Sequence, residues 1–486
     1  MHVVIAGGGL AGLRTIEELR GRGFSGPITM IAAEDRPPYD RPPLSKQALA
    51  PGDLSGGLPA GAVLAGEVPA GEVLAGEVLA GEPDAAAISA ELDTTLRADF
   101  TALDVDLRLG EPATGLGLAA APGRDGPGGL VRTARGEYPF DRLVVATGAE
   151  PVALPGPGRQ RFLRTHEDAR ELRVRLKPGT RLVIVGAGWI GAELATAAAA
   201  RGCRVTVLEA GPAPLASAIG ADVGARTAPW YAAAGVELRT SQAVESVQDG
   251  GLALAGGDWL PADEVVTAVG VRPAVAWLAG SGVRLDNGVA ADEGLRTSAP
   301  GVFAVGDCAS FLSVRYGRRL RFEHWDVALN APAVVAANIL GGREVYDPVP
   351  YSWSEQFGRM LQYAGYHGDA SQLVWRGSPD AGAGTGTAQG TGAAQRAGAG
   401  AGAGGAQGTG TGAGATPGQG PGAGAGRGTG GPWTACWLSG GRLVAVLAVD
   451  RPRDLTQGRR VIASGARVDV GLLTDPAVPL RNATVN

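Results

Sequence analysis

Lysine is nearly absent from this chain, which is 486 residues long. Its lysines and arginines together number 43, yet only Lys46 and Lys177 are lysines. An arginine carries a wide planar group that stays protonated in proteins, whereas a lysine is a compact point charge on a flexible stem. Lys46 ends the segment "YDRPPLSK" behind a proline pair. Its position raises the question of what needs a small cationic group there.

Cysteine is also scarce. Cys203, Cys308 and Cys436 lie far apart in the sequence, and no C-x-x-C pair occurs. This spacing excludes a redox dithiol made of sequence neighbours and is typical of a protein from a reducing compartment. We therefore expect a cytoplasmic protein, and we predict no metal site.

Long apolar runs and a basic charge balance are missing as well. No apolar run approaches the ~20 residues that a membrane-spanning helix needs. The opening segment "MHVVIAGGGLAG" begins a strand at once and leaves no room for a secretory signal. The formal net charge of −5 argues against general nucleic-acid binding, which favours a basic surface. We expect neither a membrane nor a nucleic acid as partner.

Two stretches differ in composition from the rest of the chain. Residues 53–82 repeat a five-residue unit such as "AGEVL", and a period of five fits neither a helix nor a strand. We interpret this repeat as a duplicated surface loop. Residues 377–432 are mostly Gly, Ala, Thr and Gln, with too few large apolar side chains to bury a core. They predict a disordered insertion.

The first chemical motif is "VVIAGGGLAG". An apolar strand is followed by Gly7, Gly9 and Gly12 in G-x-G-x-x-G spacing, which opens a helix. The first glycine allows a tight turn, the second lets a pyrophosphate approach the backbone, and the third lets helix and strand pack closely. A second strand ends at Glu34, whose carboxylate can accept hydrogen bonds from ribose hydroxyls. The combination predicts a dinucleotide-binding fold.

The same design recurs in "TRLVIVGAGWIGAELATAAAARGCRVTVLEA". Here Gly186, Gly188 and Gly191 follow a strand, and the next strand ends at Glu209. A carboxylate at that position binds a ribose 2′-hydroxyl and repels a 2′-phosphate, so we predict NAD(H) rather than NADP(H). Two such folds indicate two dinucleotides, a flavin and a nicotinamide. The alternative is that one of the folds is an empty structural relic.

A resemblance to a known family enters with "RTSAPGVFAVGDCA", whose strand ends at Asp307. This segment resembles the second FAD fingerprint of the two-dinucleotide-fold flavoprotein reductases. "LVVATGAEP" and "VVTAVGVRP" are similar to the crossover strands that link the FAD and NAD domains of these proteins. "YDRPPLSK", "RTHEDA", "FEHW" and "PYSWSEQFG" resemble the NADH-dependent ferredoxin reductases that serve cytochromes P450 and Rieske-type oxygenases.

The resemblance implies an α/β fold with two Rossmann-like dinucleotide-binding domains and an α+β C-terminal interface domain. The FAD-binding domain would comprise residues 1–150 and 269–325, and the NAD-binding domain residues 151–268. The C-terminal domain would comprise residues 326–486, with strands on both sides of the insertion where a hairpin turns, followed by a helix in "PRDLTQGRRVIASG". The oligomeric state, monomer or homodimer, stays open.

The resemblance also implies site residues for FAD and NADH. Lys46 would lie beside the flavin N5 edge and pair with Glu167, or else be a surface lysine in a loop. Arg41 would approach the FAD pyrophosphate, or else form a structural ion pair with an acid. Glu193 would face the nicotinamide pocket or be a plain surface glutamate. Trp325 would lie near the flavin ring system or be a core aromatic. The other implied cofactor contacts are Ala146, Thr147, Gly148, Gly270, Gly306 and Asp307.

The implied activity is electron transfer from NADH through FAD to a [2Fe-2S] ferredoxin. Four arginines before the flavin-side tryptophan, Arg315, Arg318, Arg319 and Arg321, would form a basic docking patch for an acidic ferredoxin, or else a solvated charged loop. We assign no catalytic role to His324. The alternatives are a reductase for rubredoxin or for a nitrite-reducing system, and a slow NADH-sensing flavoprotein of the apoptosis-inducing-factor type.

Overall fold

The computed structural model describes residues 1–51, 96, 98–119, 128–377 and 430–485. The five-residue repeat and nearly all of the predicted insertion lie outside these residues. The strands are β1 (Val3–Ala6), β2 (Ile28–Ile31), β3 (Val105–Arg108), β4 (Ala113–Leu118), β5 (Gly129–Thr133), β6 (Glu137–Phe140), β7 (Arg142–Val145), β8 (Ala149–Pro151), β9 (Arg181–Val185), β10 (Arg204–Leu208), β11 (Glu237–Arg239), β12 (Val244–Gln248), β13 (Gly251–Leu254), β14 (Trp259–Pro261), β15 (Glu264–Thr267), β16 (Val271–Pro273), β17 (Val289–Ala291), β18 (Val302–Ala304), β19 (Ala309–Ser313), β20 (Arg318–Leu320), β21 (Tyr351–Gln356), β22 (Arg359–Gly365), β23 (Gln372–Arg376), β24 (Trp433–Ser439), β25 (Arg442–Val449), β26 (Arg467–Val468) and β27 (Thr484–Val485).

The helices lie between strands, but no α-helix intervenes from β11 to β20. They are α1 (Leu10–Gly21), α2 (His166–Arg175), α3 (Trp189–Ala200), α4 (Ala216–Ile219), α5 (Ala221–Gly224), α6 (Ala228–Ala233), α7 (Trp325–Ile339), α8 (Pro452–Ser464) and α9 (Val470–Thr474). Within the described residues, no helix has the length and apolar character needed to cross a membrane.

The first unit is built on a parallel sheet with strand order β18-β7-β1-β2-β3. Strands β1 and β2 are buried along their whole length, as expected for parallel strands covered on both faces. Helix α7 packs against α1, and its apolar residues belong to the same core as β1. The predicted boundary at residue 325 instead assigned this helix to the C-terminal domain. An apolar helix pattern shows that a face is buried but not which sheet buries it.

The second unit repeats the design with a parallel sheet in the order β11-β10-β9-β15. Strand β9 leads through the second glycine motif into α3. The two segments that resemble crossover strands contribute β8 and β16, which pair with each other antiparallel. The two dinucleotide folds are therefore joined side by side at a short two-stranded ribbon.

The C-terminal unit is an antiparallel sheet in the order β21-β22-β25-β24-β23, with α8 packed on it. Strands β23 and β24 form a hairpin in which Arg376 pairs with Thr434, so both ends of the insertion leave the sheet at one place. This sheet shares an apolar core with the second unit, through residues such as Phe357 and Trp437. The predicted fold class is confirmed.

Candidate functional site

The first glycine motif leaves open space in front of a helix. Gly7 has a φ of +130°, and a side chain there would overlap the carbonyl oxygen of Ala146. A side chain at Gly12 would overlap the Gly7 carbonyl in the same way. Around Gly9, the N-cap of α1, a Cβ would meet no atom within 4 Å. The open position faces the positive end of α1, where a pyrophosphate is stabilised.

The second motif has the same steric pattern. Gly186 has a φ of +105°, and a side chain there would overlap the Ala268 carbonyl oxygen. A side chain at Gly191 would overlap the Gly186 carbonyl, whereas at Gly188 a Cβ would meet nothing within 4 Å. Gly188 is the N-cap of α3. Both motifs therefore have the shape that a dinucleotide pyrophosphate requires, which argues against an empty relic.

Glu209 is held rigidly at the end of β10. Its Oε2 accepts a hydrogen bond from the Ala187 amide at 2.8 Å, and its Oε1 accepts one from the Gly211 amide at 2.7 Å. Two backbone N–H donors, one on each oxygen, fix the direction in which the carboxylate points. The predicted ribose-binding acid thus presents a fixed negative charge beside the second glycine motif.

Glu34, the matching acid of the first unit, is held by side chains. Arg41 Nη2 lies 2.7 Å from Glu34 Oε1, and the Tyr39 hydroxyl donates to Glu34 Oε2 at 2.7 Å. Burial raises the pKa of Tyr39 to about 12, so the hydroxyl keeps its proton. Arg41 also donates to the carbonyl of Arg164 at 2.6 Å. The structure therefore has the predicted alternative for Arg41, an ion pair with an acid.

Asp307 has an ionic partner that sequence reasoning missed. Arg164 Nη2 lies 3.0 Å from Asp307 Oδ2. Arg164 begins the segment "RTHEDA", whose glutamate alone was given a role. Together with the pair of Glu34 and Arg41, this bridge places two cations and two anions on one side of the first unit.

The other predicted contacts collect at the carboxyl ends of parallel strands. Ala146, Thr147 and Gly148 follow β7, and Gly306 follows β18. Both strands run parallel with β1 in one sheet, so these residues share an edge with Gly7. The Thr147 hydroxyl donates to the Ala274 carbonyl at 2.7 Å. Gly270 lies between β15 and β16 with a φ of +112°.

Lys46 forms a buried ion pair, but not with the predicted partner. Its Nζ lies 2.9 Å from Glu193 Oε2, and the two side chains are 12% and 3% exposed. Glu167 is instead 56% exposed and pairs with Arg170 at 2.6 Å. Glu167 occupies the first turn of α2, where an arginine one helical turn later is within reach. The predicted pair of Lys46 with Glu167 was therefore wrong.

Glu193 is the acid on which three parts of the fold converge. It lies in the first turns of α3, behind Gly188. Its Oε2 accepts hydrogen bonds from Lys46 and from the Ser45 hydroxyl, both in the first unit. Its Oε1 accepts one from Ser354 of the C-terminal sheet, at 2.6 Å. The reading of Glu193 as a plain surface glutamate is excluded by its burial.

Trp325 links the segment "YDRPPLSK", which contains Asp40 and Lys46, to the C-terminal sheet. Its indole nitrogen donates to Asp40 Oδ1 at 2.7 Å. Burial raises the pKa of Asp40 above its usual range, and the Trp325 bond partly offsets this. The Trp325 ring meets the Trp353 ring edge-on, with centroids 5.7 Å apart. Trp325 is half-buried at this junction.

His324 is neutral and has an unused nitrogen. Burial lowers the pKa of His324 to about 4, so the imidazole carries no charge at physiological pH. Its buried Nδ1 has no hydrogen-bond partner among the described residues, and Asp307 is close enough to influence it electrostatically. A neutral imidazole does not serve as a general acid at pH 7. The unpaired nitrogen fits a site that a polar cofactor completes.

The cysteines are unsuited to thiol chemistry. Cys308 and Cys436 are buried, and burial raises the pKa of both thiols, that of Cys436 to about 12. Burial also raises the pKa of the partly exposed Cys203. The thiolate is the reactive form of cysteine, so none of the three is activated.

Each of the four arginines predicted to form a basic patch has a carboxylate within 4 Å, although Asp286, the partner of Arg319, also lies 3.9 Å from Arg284. The prediction of free positive charges at this surface was therefore wrong. The pairs are Arg315 with Asp347 (3.6 Å), Arg318 with Asp369 (3.0 Å), Arg319 with Asp286 (3.6 Å) and Arg321 with Glu323 (2.6 Å).

Comparison with known families gives two matches. The sequence model of the family "Pyridine nucleotide-disulphide oxidoreductase" matches residues 1–331, which is more than half of the chain. The model "Reductase C-terminal" matches residues 351–394 and 413–484. The first match ends inside α7, and the second match begins after this helix.

Individual relatives agree with these matches. The chain is 33% identical to the anthranilate 1,2-dioxygenase system ferredoxin–NAD(+) reductase component of Burkholderia cepacia, over 71% of this chain and 75% of the relative. It is similar to the crystal structure of Fdr9, with 42% identity, a TM-score of 0.76 and coverage of 99% of both chains. It is also similar to the putidaredoxin reductase of a covalent complex with putidaredoxin, with 27% identity, a TM-score of 0.75 and coverage of 99% and 97%.

Proposed function

Because the chain belongs to the pyridine nucleotide-disulphide oxidoreductase family, it is an oxidoreductase that uses FAD and NAD(H), and we propose that it passes electrons from NADH to a ferredoxin. The acceptor that we propose is a [2Fe-2S] ferredoxin serving a cytochrome P450 or a Rieske-type oxygenase. The relatives named as ferredoxin reductases of oxygenase and P450 systems support this proposal.

The observation that carries the proposal is the ion pair of Lys46 with Glu193. Lys46 ends the segment "YDRPPLSK" of the first unit, whereas Glu193 lies on α3, the helix that the second glycine motif opens. We infer that the reactive ends of two dinucleotides, one on each motif, meet at this pair. This arrangement is what hydride transfer between a nicotinamide and a flavin requires.

The residues of this chain then bind the two cofactors, select NADH over NADPH and orient the reacting groups. Bound FAD would supply the redox chemistry, which is uptake of a hydride and release of single electrons. The amides of the Gly9 and Gly188 turns face the two pyrophosphates. Glu209 accepts from a 2′-hydroxyl and repels a 2′-phosphate. Lys46 places a positive charge next to the reacting ring, where negative charge develops during reduction. No side chain has to supply a proton for hydride transfer.

The state of the cysteines supports an electron-carrier protein as acceptor. A peroxide- or disulfide-reducing relative needs a reactive thiolate beside the flavin. The three cysteines of this chain are not activated, and the buried Cys308 thiol donates to the backbone carbonyls of Val145 and Val305. Electrons must therefore leave the protein for a separate carrier.

Acceptor choice can be measured directly. NADH oxidation by the purified protein is followed with a [2Fe-2S] ferredoxin, with a rubredoxin, or with neither. We expect kcat/KM for the ferredoxin to exceed that for the rubredoxin at least tenfold, and little turnover without a carrier. A rubredoxin that matches or outperforms the ferredoxin would replace the proposed acceptor.

Alanine at two of the three glycines of the second motif, Gly188 and Gly191, should have different effects. We expect Gly191→Ala to lower the free energy of unfolding by about 1–3 kcal/mol, because its methyl group overlaps the Gly186 carbonyl. Gly188→Ala has open surroundings, so it should change stability by less than about 1 kcal/mol. It should nevertheless raise the KM for NADH about tenfold, since the methyl group occupies the pyrophosphate position. Chemical denaturation and steady-state kinetics test both, and an unchanged KM in Gly188→Ala would contradict the placement of NADH.

The paired arginines should matter little for ferredoxin affinity. We expect Arg318→Gln to change kcat/KM for ferredoxin by less than about twofold, because Asp369 already cancels its charge and exposed ion pairs contribute little. Asp369→Asn would unmask Arg318 and should increase kcat/KM at low salt. The rates are measured at two ionic strengths. A loss of tenfold or more in Arg318→Gln would restore the docking patch predicted from the sequence.

A further inference from the structure

A serine of the C-terminal sheet reaches into the cofactor site. Ser354 lies on β21 and is fully buried. Its hydroxyl donates to Glu193 Oε1 at 2.6 Å, and Gln356 Nε2 donates in turn to the Ser354 oxygen at 2.9 Å. Ser354 and Gln356 therefore approach Glu193 from the C-terminal unit, whereas Lys46 approaches it from the first unit.

The two oxygens of the Glu193 carboxylate accept hydrogen bonds from different donors. This arrangement matters because the carboxylate is buried. A buried carboxylate needs hydrogen bonds on both oxygens to offset the loss of water. Ser45 and Lys46 occupy Oε2, and Ser354 alone among the described residues donates to Oε1. The hydroxyl of Ser354 therefore decides which oxygen faces the lysine.

The strand that carries Ser354 is itself fixed against helix α3. The amide of Phe357 donates to the Thr196 hydroxyl at 3.0 Å, one turn after Glu193. The Phe357 ring also packs against Tyr231 of the second unit, with centroids 4.5 Å apart. Ser354 is thus presented to Glu193 by a tightly packed junction.

We propose that Ser354 is a positioning residue for the redox reaction, which orients the Glu193 carboxylate so that it holds the Lys46 ammonium in place at the cofactor site. The proposal rests on the proposed function, because it takes Lys46 to act on bound FAD. It gives the C-terminal sheet a part in the reaction although it contributes no glycine motif.

Removal of the hydroxyl has a defined consequence. In Ser354→Ala, Oε1 of Glu193 is left without a donor in a buried position. The carboxylate then turns to find another donor, and this change moves its negative charge away from Lys46. The Lys46 amine becomes more reactive, and the surroundings of FAD become more positive. We expect the two-electron midpoint potential of FAD to rise by about 30 mV, a tenfold change in the equilibrium.

The scarcity of lysine makes the first consequence measurable. The FAD-loaded protein is treated with a dilute amine-acylating reagent, and labelling of Lys46 and Lys177 is read by peptide mass spectrometry. Lys177 is exposed and serves as an internal reference. In Ser354→Ala we expect the ratio of Lys46 to Lys177 labelling to rise at least threefold. Spectroscopic titration with a redox dye gives the midpoint potential of the same samples.

The matched control is Ser352→Ala, on the same strand and the same face. The Ser352 hydroxyl makes no hydrogen bond with the residues that the structure describes, so its loss should leave the labelling ratio and the potential unchanged. Ser354→Thr keeps a hydroxyl and should stay close to wild type, which separates positioning from misfolding. Equal ratios and potentials in the two alanine variants would overturn the proposal. A raised ratio in a protein that transfers no electrons to ferredoxin would reject the proposed function but keep the link between Ser354 and Lys46.

Discussion

Lys46→Met is expected to slow reduction of the bound FAD by NADH about 100-fold and to lower the free energy of unfolding by about 3 kcal/mol. The stability loss arises because the variant leaves the Glu193 carboxylate buried without its counter-charge, a situation that costs about 3–5 kcal/mol in other proteins. The rate loss arises because a preorganised charge next to the reacting atoms contributes about 100-fold or more when it is removed. Rapid-mixing spectroscopy and chemical denaturation measure the two quantities.

A second substitution separates the two effects. In the double variant Lys46→Met with Glu193→Gln, the buried negative charge is removed together with its partner. Stability should recover by most of the loss, whereas the reduction rate should stay low because the ammonium is still missing. Lys177→Met is the control, since it removes the chain's other, exposed lysine and should change neither quantity. Wild-type reduction rates in Lys46→Met would contradict the role assigned to this ion pair.

NADH should be preferred over NADPH by about 100-fold in kcat/KM. The two backbone amides that hold Glu209 prevent its charge from turning away from an incoming 2′-phosphate. Such a like-charge contact costs several kcal/mol, and every 1.4 kcal/mol corresponds to a factor of ten. The preference is measured by steady-state kinetics with both cofactors at low ionic strength.

The Glu209→Gln variant tests the cause of this preference. The amide keeps the size of the side chain but removes the negative charge, so the preference for NADH should fall at least tenfold, mainly through improved use of NADPH. Glu237, another strand glutamate of the same sheet, is exposed and suits as a control in the form Glu237→Gln. An unchanged preference in Glu209→Gln would show that another group rejects the phosphate.

The sequence was most informative where geometry forces one residue type. Gly7 and Gly186 have a positive φ and touch a neighbouring carbonyl, and only glycine satisfies both conditions. The hairpin of β23 and β24 was likewise readable, since two apolar strands flank the insertion. In these places, local sequence and three-dimensional structure carry the same information.

The partners of charged residues could not be predicted in this way. Glu167 was the predicted partner of Lys46, whereas Glu193 was expected at the nicotinamide pocket. The actual partner depends on which helix face the C-terminal sheet covers. The spacing of Glu167 and Arg170 by three residues was a local sign of a competing pair. For Arg318 and Arg319 no such sign exists, because Asp369 and Asp286 are distant in sequence. A run of arginines in the sequence shows that positive charges are present. It does not show which acidic side chains lie next to them in the folded protein, and the net surface charge depends on those contacts.

The most direct test of the account is a rapid-mixing experiment under anaerobic conditions. The purified protein is reduced by one equivalent of NADH and then mixed with an oxidised [2Fe-2S] ferredoxin, while the flavin and iron–sulfur absorbances are followed. We predict that NADH bleaches the flavin band rapidly and that the ferredoxin is reduced within a catalytic turnover as the flavin colour returns. A purified protein without flavin, or a reduced protein with a persistent long-wavelength band that transfers no electrons to ferredoxin, would contradict it.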